Sequence, residues 1–346
     1  MTTGNIFSSC TDDFEKLNTS NIQVDPADLP FAAQCTEPMT YCYPPQQNMF
    51  QFWTNLTIDL YGGYFMTPNG NFTNGDMGEN RGHSGGMYEN YYLHIFNNTR
   101  RIIAQCDASG ERGLSGVMRI VQAYGTLMTT DAYGPIPYSS ILSGENEVYF
   151  EFDSQKDLYK AMLEDLSTAI TDISAMGADE IAKLKSFDCW CNGDKNLWVK
   201  IANTMKLRMA LRLSKRETEA GNAGMNLKAI ATEAAQNTLA TVNKDILIDK
   251  SLENEMWLMF NWGDCGFNAN LVTIMSGTKD PRQPLYMTLN TGDIKNEAGT
   301  TTVAANSQYL GIRFASGLPA KPNSWGNFSG WIQGNNGSSY SMPLPI

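Results

Sequence analysis

The chain has 346 residues, 42% of them hydrophobic and 18% charged, which is enough for a substantial core and unlike a disordered polypeptide. Asp and Glu total 36 against 25 Lys and Arg, a formal net charge of −11 with no compensating basic run, and this argues against a nucleic-acid partner. No apolar run reaches the roughly 18 residues that a membrane-spanning helix requires.

Residues 1–45 read as an extended N-terminal arm, because Pro26, Pro30, Pro38, Pro44 and Pro45 interrupt regular helix. The segment before Cys10, MTTGNIFSS, carries no basic residue and no apolar stretch of about 7 residues, so it does not form a complete signal peptide. Either export is absent or the leader is missing from this chain. Residues 46–240 read as a helical region. Gln46–Phe65 places Met49, Phe52, Trp53, Leu56 and Leu60 at helical spacing, and a Gly- and Asn-rich loop of about 20 residues follows from Pro68. Helices are then expected over Tyr88–Gln105 and Glu111–Tyr133, the second stopped by Gly134-Pro135. Ser154 caps a helix with Asp157 three residues on, and further helices fall at Leu197–Lys215 and Met225–Thr238. Trp53, Tyr91, Tyr92, Tyr124 and Trp198 sit on the apolar stripes and are expected in the core. Arg208 and Arg212, one helical turn apart, are expected as structural ion-pair or carbonyl-capping residues and not as ligands.

From residue 241 to 346 Gly, Asn, Ser and Thr rise and helical periodicity fades. This predicts an irregular, loop-rich subdomain with a few short strands. The seven cysteines include Cys189-Trp190-Cys191, which lacks the spacing of a zinc knuckle, so buried thiols or one or two disulfides are expected and no metal site. His-Glu-x-x-His and Walker patterns are absent, His83 and His94 are the only histidines, and no catalytic residue or cofactor motif stands out. Residues 69–80 hold oxygen ligands for calcium but not the EF-hand spacing.

Four segments carry a family resemblance. They are CTDDFEKLNT from Cys10, RIVQAYGTLMTTDAYGPIPYSSI over 119–141, LWVKIANTMKLRMALRLSK over 197–215, and Lys279-Asp280-Pro281-Arg282. Together the chain resembles the SusD/RagB superfamily of nutrient-binding outer-membrane lipoproteins. The resemblance implies a mainly α fold, a right-handed tetratricopeptide-like superhelix supporting an irregular ligand-binding half. It implies lipidation at Cys10, anchorage in the outer membrane with the protein exposed at the cell surface, and a partner barrel, a SusC-like TonB-dependent transporter. The cargo would be an oligosaccharide or glycan or, in some members, peptide. Members usually run longer, so the chain is expected to be incomplete at its C-terminus.

Sugars are held by flat apolar rings flanked by amides and carboxylates. Three segments have that chemistry: Asn71 and Phe72 in the first long loop, Trp257, Trp262 and Asp264, and Trp325 with Trp331. Two rival functions compete with glycan capture, a helical-repeat scaffold for protein partners and a glycoside hydrolase.

Overall fold

The computed structural model describes residues 29–43, 50–67, 78, 80–143, 149–250, 264–295, 298–314, 327–330 and 340–343. The fold is mainly α and tetratricopeptide-like, as the resemblance implies. The helices that carry it are α1 (Phe31–Tyr41), α2 (Asn97–Ser109), α3 (Arg112–Tyr133), α4 (Ser139–Ser143), α5 (Gln155–Ser174), α6 (Ala178–Lys185), α7 (Lys195–Arg212), α8 (Leu227–Ala235) and α9 (Ala269–Thr278).

Neighbouring helices run antiparallel, and the contacts along each pair fix the direction. At α3 and α5, Gln155 Nε2 donates to the Thr130 carbonyl at 2.6 Å at one end. Gly116 lies against Ala169 and Ile173 at the other. At α5 and α7, Lys195 Nζ donates to the Ser174 carbonyl at 3.0 Å, and Arg212 reaches Asp131 beside Tyr159. At α7 and α8, Lys200 meets Asn237 and Lys206 meets Glu233. A single cluster of buried side chains runs from Cys35 on α1 through Leu127 and Leu166 to Met209, so the pairs share one core. Trp53, Tyr91, Tyr124 and Trp198 are buried in agreement with their stripes, and Arg212 pairs with Asp131 at 3.2 Å as expected.

Three expectations need correction. The Pro-punctuated arm contains α1, with Pro38 inside it. Burial of Cys35, Pro38 and Met39 outweighs one missing backbone hydrogen bond, and Thr36 Oγ1 and Thr40 Oγ1 donate to carbonyls one turn back. The first predicted helix is described from Phe50 to Asp59 and has wide i→i+5 turns, as does Tyr91–Phe96, which leads into α2. Such turns shift the buried face out of the 3.6-residue period of a regular helix. Finally, α6 and α9 stand where no helix is expected: one is short and mostly exposed, the other lies in the tract that composition marks as irregular.

Sheet is confined, among the described residues, to two-stranded antiparallel ladders. They pair β1 (Phe65–Met66) with β5 (Gly266–Phe267), β2 (Ile136–Pro137) with β3 (Phe152–Asp153), β4 (Leu247–Lys250) with β8 (Tyr340–Pro343), and β6 (Ile294–Lys295) with β7 (Thr301–Val303). Six cysteines, Cys35, Cys42, Cys106, Cys189, Cys191 and Cys265, are free thiols.

The Asp-x-Tyr-Gly-x-x-Pro-Tyr corner is a structural hub. Gly134 has φ 80° and ψ −132°, a conformation closed to residues with a β-carbon, and its N–H donates to the Thr130 carbonyl at 2.8 Å to end α3. Asp131 accepts from Tyr159 Oη at 2.6 Å. Tyr138 donates its backbone N–H to Asp153 at 2.9 Å and its hydroxyl to Asp165 at 3.3 Å.

Candidate functional site

The β1–β5 ladder decides where two of the three ring-bearing segments begin. Phe65 pairs with Phe267 and Met66 with Gly266, so the loop leaving at Pro68 and the segment arriving at Asp264 adjoin the same end of one ladder. Ile312 extends this frame, donating its N–H to the Phe267 carbonyl at 2.7 Å and accepting from Ala269 N–H at 2.8 Å. Two residues back, Leu310 N–H donates to Ser329 Oγ at 2.9 Å and the Leu310 carbonyl accepts from Ser329 N–H at 3.1 Å. Thr288 holds Gly330 from the other side, N–H to carbonyl at 2.9 Å. The third segment is therefore tied to the same frame, by the residues between Trp325 and Trp331.

Of the side chains singled out in the sequence, Asp264 is described. It is buried and accepts from Gln51 Nε2 at 2.9 Å, which joins the wide-turn helix Phe50–Asp59 to the start of the ladder. Asn71, Phe72, Trp257, Trp262, Trp325, Trp331 and Cys10 lie outside the described residues. So does the calcium-candidate stretch apart from Gly78 and Asn80. Asn80 Oδ1 accepts from His83 N–H at 3.2 Å and caps the short helix Arg81–Ser84, so the second part of the predicted loop is helical. His83 stacks on Phe52, with ring centroids 4.5 Å apart and planes 6° apart. Tyr133 stacks on Trp53 at 5.3 Å and donates its hydroxyl to the Ser84 carbonyl, fastening the returning loop to the end of α3.

Two rings at this place escape a reading of the sequence. Tyr61 is 42% and Tyr64 53% exposed, and Tyr61 Oη donates to the Gly78 carbonyl at 3.2 Å. Both fall at the end of a helical stripe, where exposure cannot be told from burial by period alone; the Gly62-Gly63 pair that ends the helix is the available signal.

Beneath the frame lies a polar floor. Asn55 Nδ2 donates to Cys265 Sγ at 3.0 Å, and the Cys265 thiol is pushed well above its ordinary pKa, first by burial and then by the nearby Asp59 and Asp264 carboxyls. Burial also pushes the Asp59 carboxyl up to about 7. An unfolded aspartate loses its proton near 3.8, so the cost of ionising Asp59 in the folded state is absent below about pH 4 and complete above about pH 7. Asp59→Asn is accordingly expected to stabilise the protein by about 1–2 kcal/mol at pH 8, the figure allowing for the solvent that reaches this partly exposed residue, and to change little at pH 4. Denaturation midpoints at the two pH values check this. An equal gain at both would remove the titration argument.

The family described as SusD-like, "Susd and RagB outer membrane lipoprotein", matches residues 15–339. No curated protein matches the sequence. Among solved structures, a SusD-like protein from Bacteroides thetaiotaomicron is 23% identical with a TM-score of 0.72, over 91% of this chain and 62% of its own. A chitin-binding SusD homolog from Flavobacterium johnsoniae is 22% identical with a TM-score of 0.74, over 90% and 62%. A SusD homolog from Bacteroides ovatus is 25% identical with a TM-score of 0.69, over 91% and 62%. The chain thus spans less than two thirds of the length of these relatives.

Proposed function

The chain belongs to the SusD-like family of SusD and RagB outer-membrane lipoproteins, and from that membership we propose that it captures an oligosaccharide or glycan at the cell surface and hands it to a TonB-dependent, SusC-like transporter. In this reading the protein is not an enzyme, and the anchor is a lipid on Cys10. Rings and amides of the three irregular segments, Asn71, Phe72, Trp257, Trp262, Trp325 and Trp331, hold the glycan, while Asp264 braces the segment that presents two of them. Tyr61 and Tyr64 add exposed rings beside the first loop.

The observation that carries the reading is the shared frame. Three segments with the same stacking-and-amide chemistry are far apart in sequence, and two of them spring from one end of one ladder while the third is bonded to its extension. A scaffold for protein partners gives no reason for segments of that chemistry to start from one frame. The description of one relative as chitin-binding fits the same ligand class.

Affinity electrophoresis and calorimetry against soluble polysaccharides, host glycans and peptides test the proposal. Retention on at least one glycan is expected, weakened about tenfold or more in the Trp262→Ala, Trp331→Ala double variant, since aromatic contacts contribute on the order of 1 kcal/mol each beyond burial. Retention on no glycan would favour the scaffold, and release of reducing ends would favour a hydrolase. Delivery predicts that a TonB-dependent barrel co-purifies with the protein from detergent-solubilised outer membrane.

A further inference from the structure

A cavity lies away from the ladder, in the helical half between α2, α3, α4 and α5. Its volume is about 440 Å³, within the ~300–1,000 Å³ range of small-ligand sites. Ile103, Leu142, Leu158 and Ala161 give it an apolar side. The polar side holds two guanidinium groups, Arg100 and Arg119, against four carboxyls, those of Asp153, Asp157, Glu164 and Asp165. Arg119 is committed to Asp107 and Asp165, each at 2.9 Å, and Arg100 reaches the Ile141 carbonyl at 3.4 Å.

Gln122 completes the wall, and its position is the unusual one. It is only 4% exposed, it sits in the middle of α3, and its Nε2 has no hydrogen-bond partner among the described residues. A buried amide donor left unsatisfied is costly, and native structures rarely keep one without a reason. A terminal amide turns easily about its last bond, which brings the donor to an occupant of the cavity.

The surplus of carboxyls disfavours an anion, so phosphate, sulfated sugars and uronic acids do not fit. An amine or guanidinium ligand offers only donors and would leave Gln122 Nε2 as it is. A hydroxylated ring offers oxygens that accept from Gln122 and Arg100, O–H groups that donate to Asp157 and Glu164, and a C–H face for the apolar side. We propose that this cavity is a second saccharide site, taking one neutral pyranose unit against Gln122. The ligand class coincides with that proposed above but the residues do not, so the two readings fail separately.

Ligand-observed NMR and calorimetry with the methyl pyranosides of glucose, galactose, mannose and N-acetylglucosamine test it, using the whole chain, Gln122→Leu, Ala161→Phe and the Trp262→Ala, Trp331→Ala double variant. At least one glycoside is expected to bind. Gln122→Leu should weaken it about tenfold while raising the melting temperature, because the variant removes an unpaired buried donor. Ala161→Phe, which fills the cavity from α5, should weaken it as well, and the tryptophan double variant should leave it intact. Absence of binding for all four glycosides overturns the proposal. So does binding that survives both cavity variants, or that disappears only in the tryptophan variant, which would place the sugar in the irregular segments. If glycan retention survives the tryptophan variant while pyranoside binding falls with Gln122→Leu, the reading of the irregular segments fails and the cavity site stands.

Discussion

Asp188→Ala is expected to be among the most damaging single substitutions in this protein, costing about 4 kcal/mol. Asp188 is buried at the turn between α6 and α7, and its carboxylate accepts four hydrogen bonds. Oδ1 takes the N–H groups of Trp190 at 3.0 Å and Cys191 at 2.8 Å, and Oδ2 takes Gly193 N–H and Trp198 Nε1, both at 2.8 Å. Alanine leaves all four donors without an acceptor in a place where water has little access, at about 1–3 kcal/mol for each one that stays dry. Relaxation of the turn recovers part of this, hence the total near 4 kcal/mol. The same carboxylate sets the position of Trp198, which is fully buried and stacked on Trp190 with centroids 5.2 Å apart, while Trp190 Nε1 donates to the Met39 carbonyl of α1 at 3.1 Å. Loss of Asp188 therefore loosens α1 along with the turn. Asparagine is not an equivalent here: one of its two terminal atoms is a donor, so Asp188→Asn should fall about midway. Thermal unfolding checks both variants, with a drop on the order of 5–10 °C for alanine. A shift of a degree or less would mean that the turn rearranges around water and that the carboxylate is not its organiser.

That turn also shows how far the sequence can be read. The Cys-Trp-Cys spacing argues against a zinc knuckle, yet nothing in it announces a turn built around the aspartate one residue earlier. Most donors to that carboxylate are backbone N–H groups, and those leave no trace in residue identity. The long helices α3, α5 and α7 are legible because their apolar stripes repeat over many turns and because Ser154 and the Gly134 corner mark ends that side-chain chemistry dictates. The wide-turn segments Phe50–Asp59 and Tyr91–Phe96 are legible as helix but not as to hydrogen-bond pattern, since aromatic and aliphatic residues fill either period. Helix α1 is hidden by Pro38, whose local penalty is outweighed by contacts with residues about 50 positions away, such as Asn90 Nδ2 with the Tyr41 carbonyl at 3.1 Å and His94 Nδ1 with Glu37 at 2.9 Å. At the candidate site the chemistry of the three segments is legible and their meeting is not. Two-residue strands such as β1 and β5 carry no periodic signal, and their pairing joins positions 65 and 267.

Gly116→Leu is the second substitution with a large expected effect, and it tests what holds the superhelix at its spacing. Gly116 lies near the N-terminus of α3, where α5 crosses it. A β-carbon there would stand 3.1 Å from Ile173 Cγ1 and 3.2 Å from both the Cα and the carbonyl oxygen of Ala169. Two of these three neighbours are backbone, which cannot turn aside as a side chain can. Helix propensity alone predicts that alanine stabilises an interior helical glycine by about 1 kcal/mol. Close packing predicts instead that Gly116→Ala loses that gain, and that leucine, with three more carbons and no space for them, costs about 3 kcal/mol by forcing α5 outward. Helix α5 carries Asp165, which holds Arg119 of α3 at 2.9 Å, and Tyr159, which holds Asp131 at 2.6 Å, so its displacement strains the polar ties to the middle of α3 and to the Gly134 corner together. Urea unfolding of the wild type, Gly116→Ala and Gly116→Leu separates the two accounts. A graded loss across the series supports contact between the helix backbones, whereas a stabilising alanine followed by a tolerated leucine would show that α3 and α5 have room to move apart.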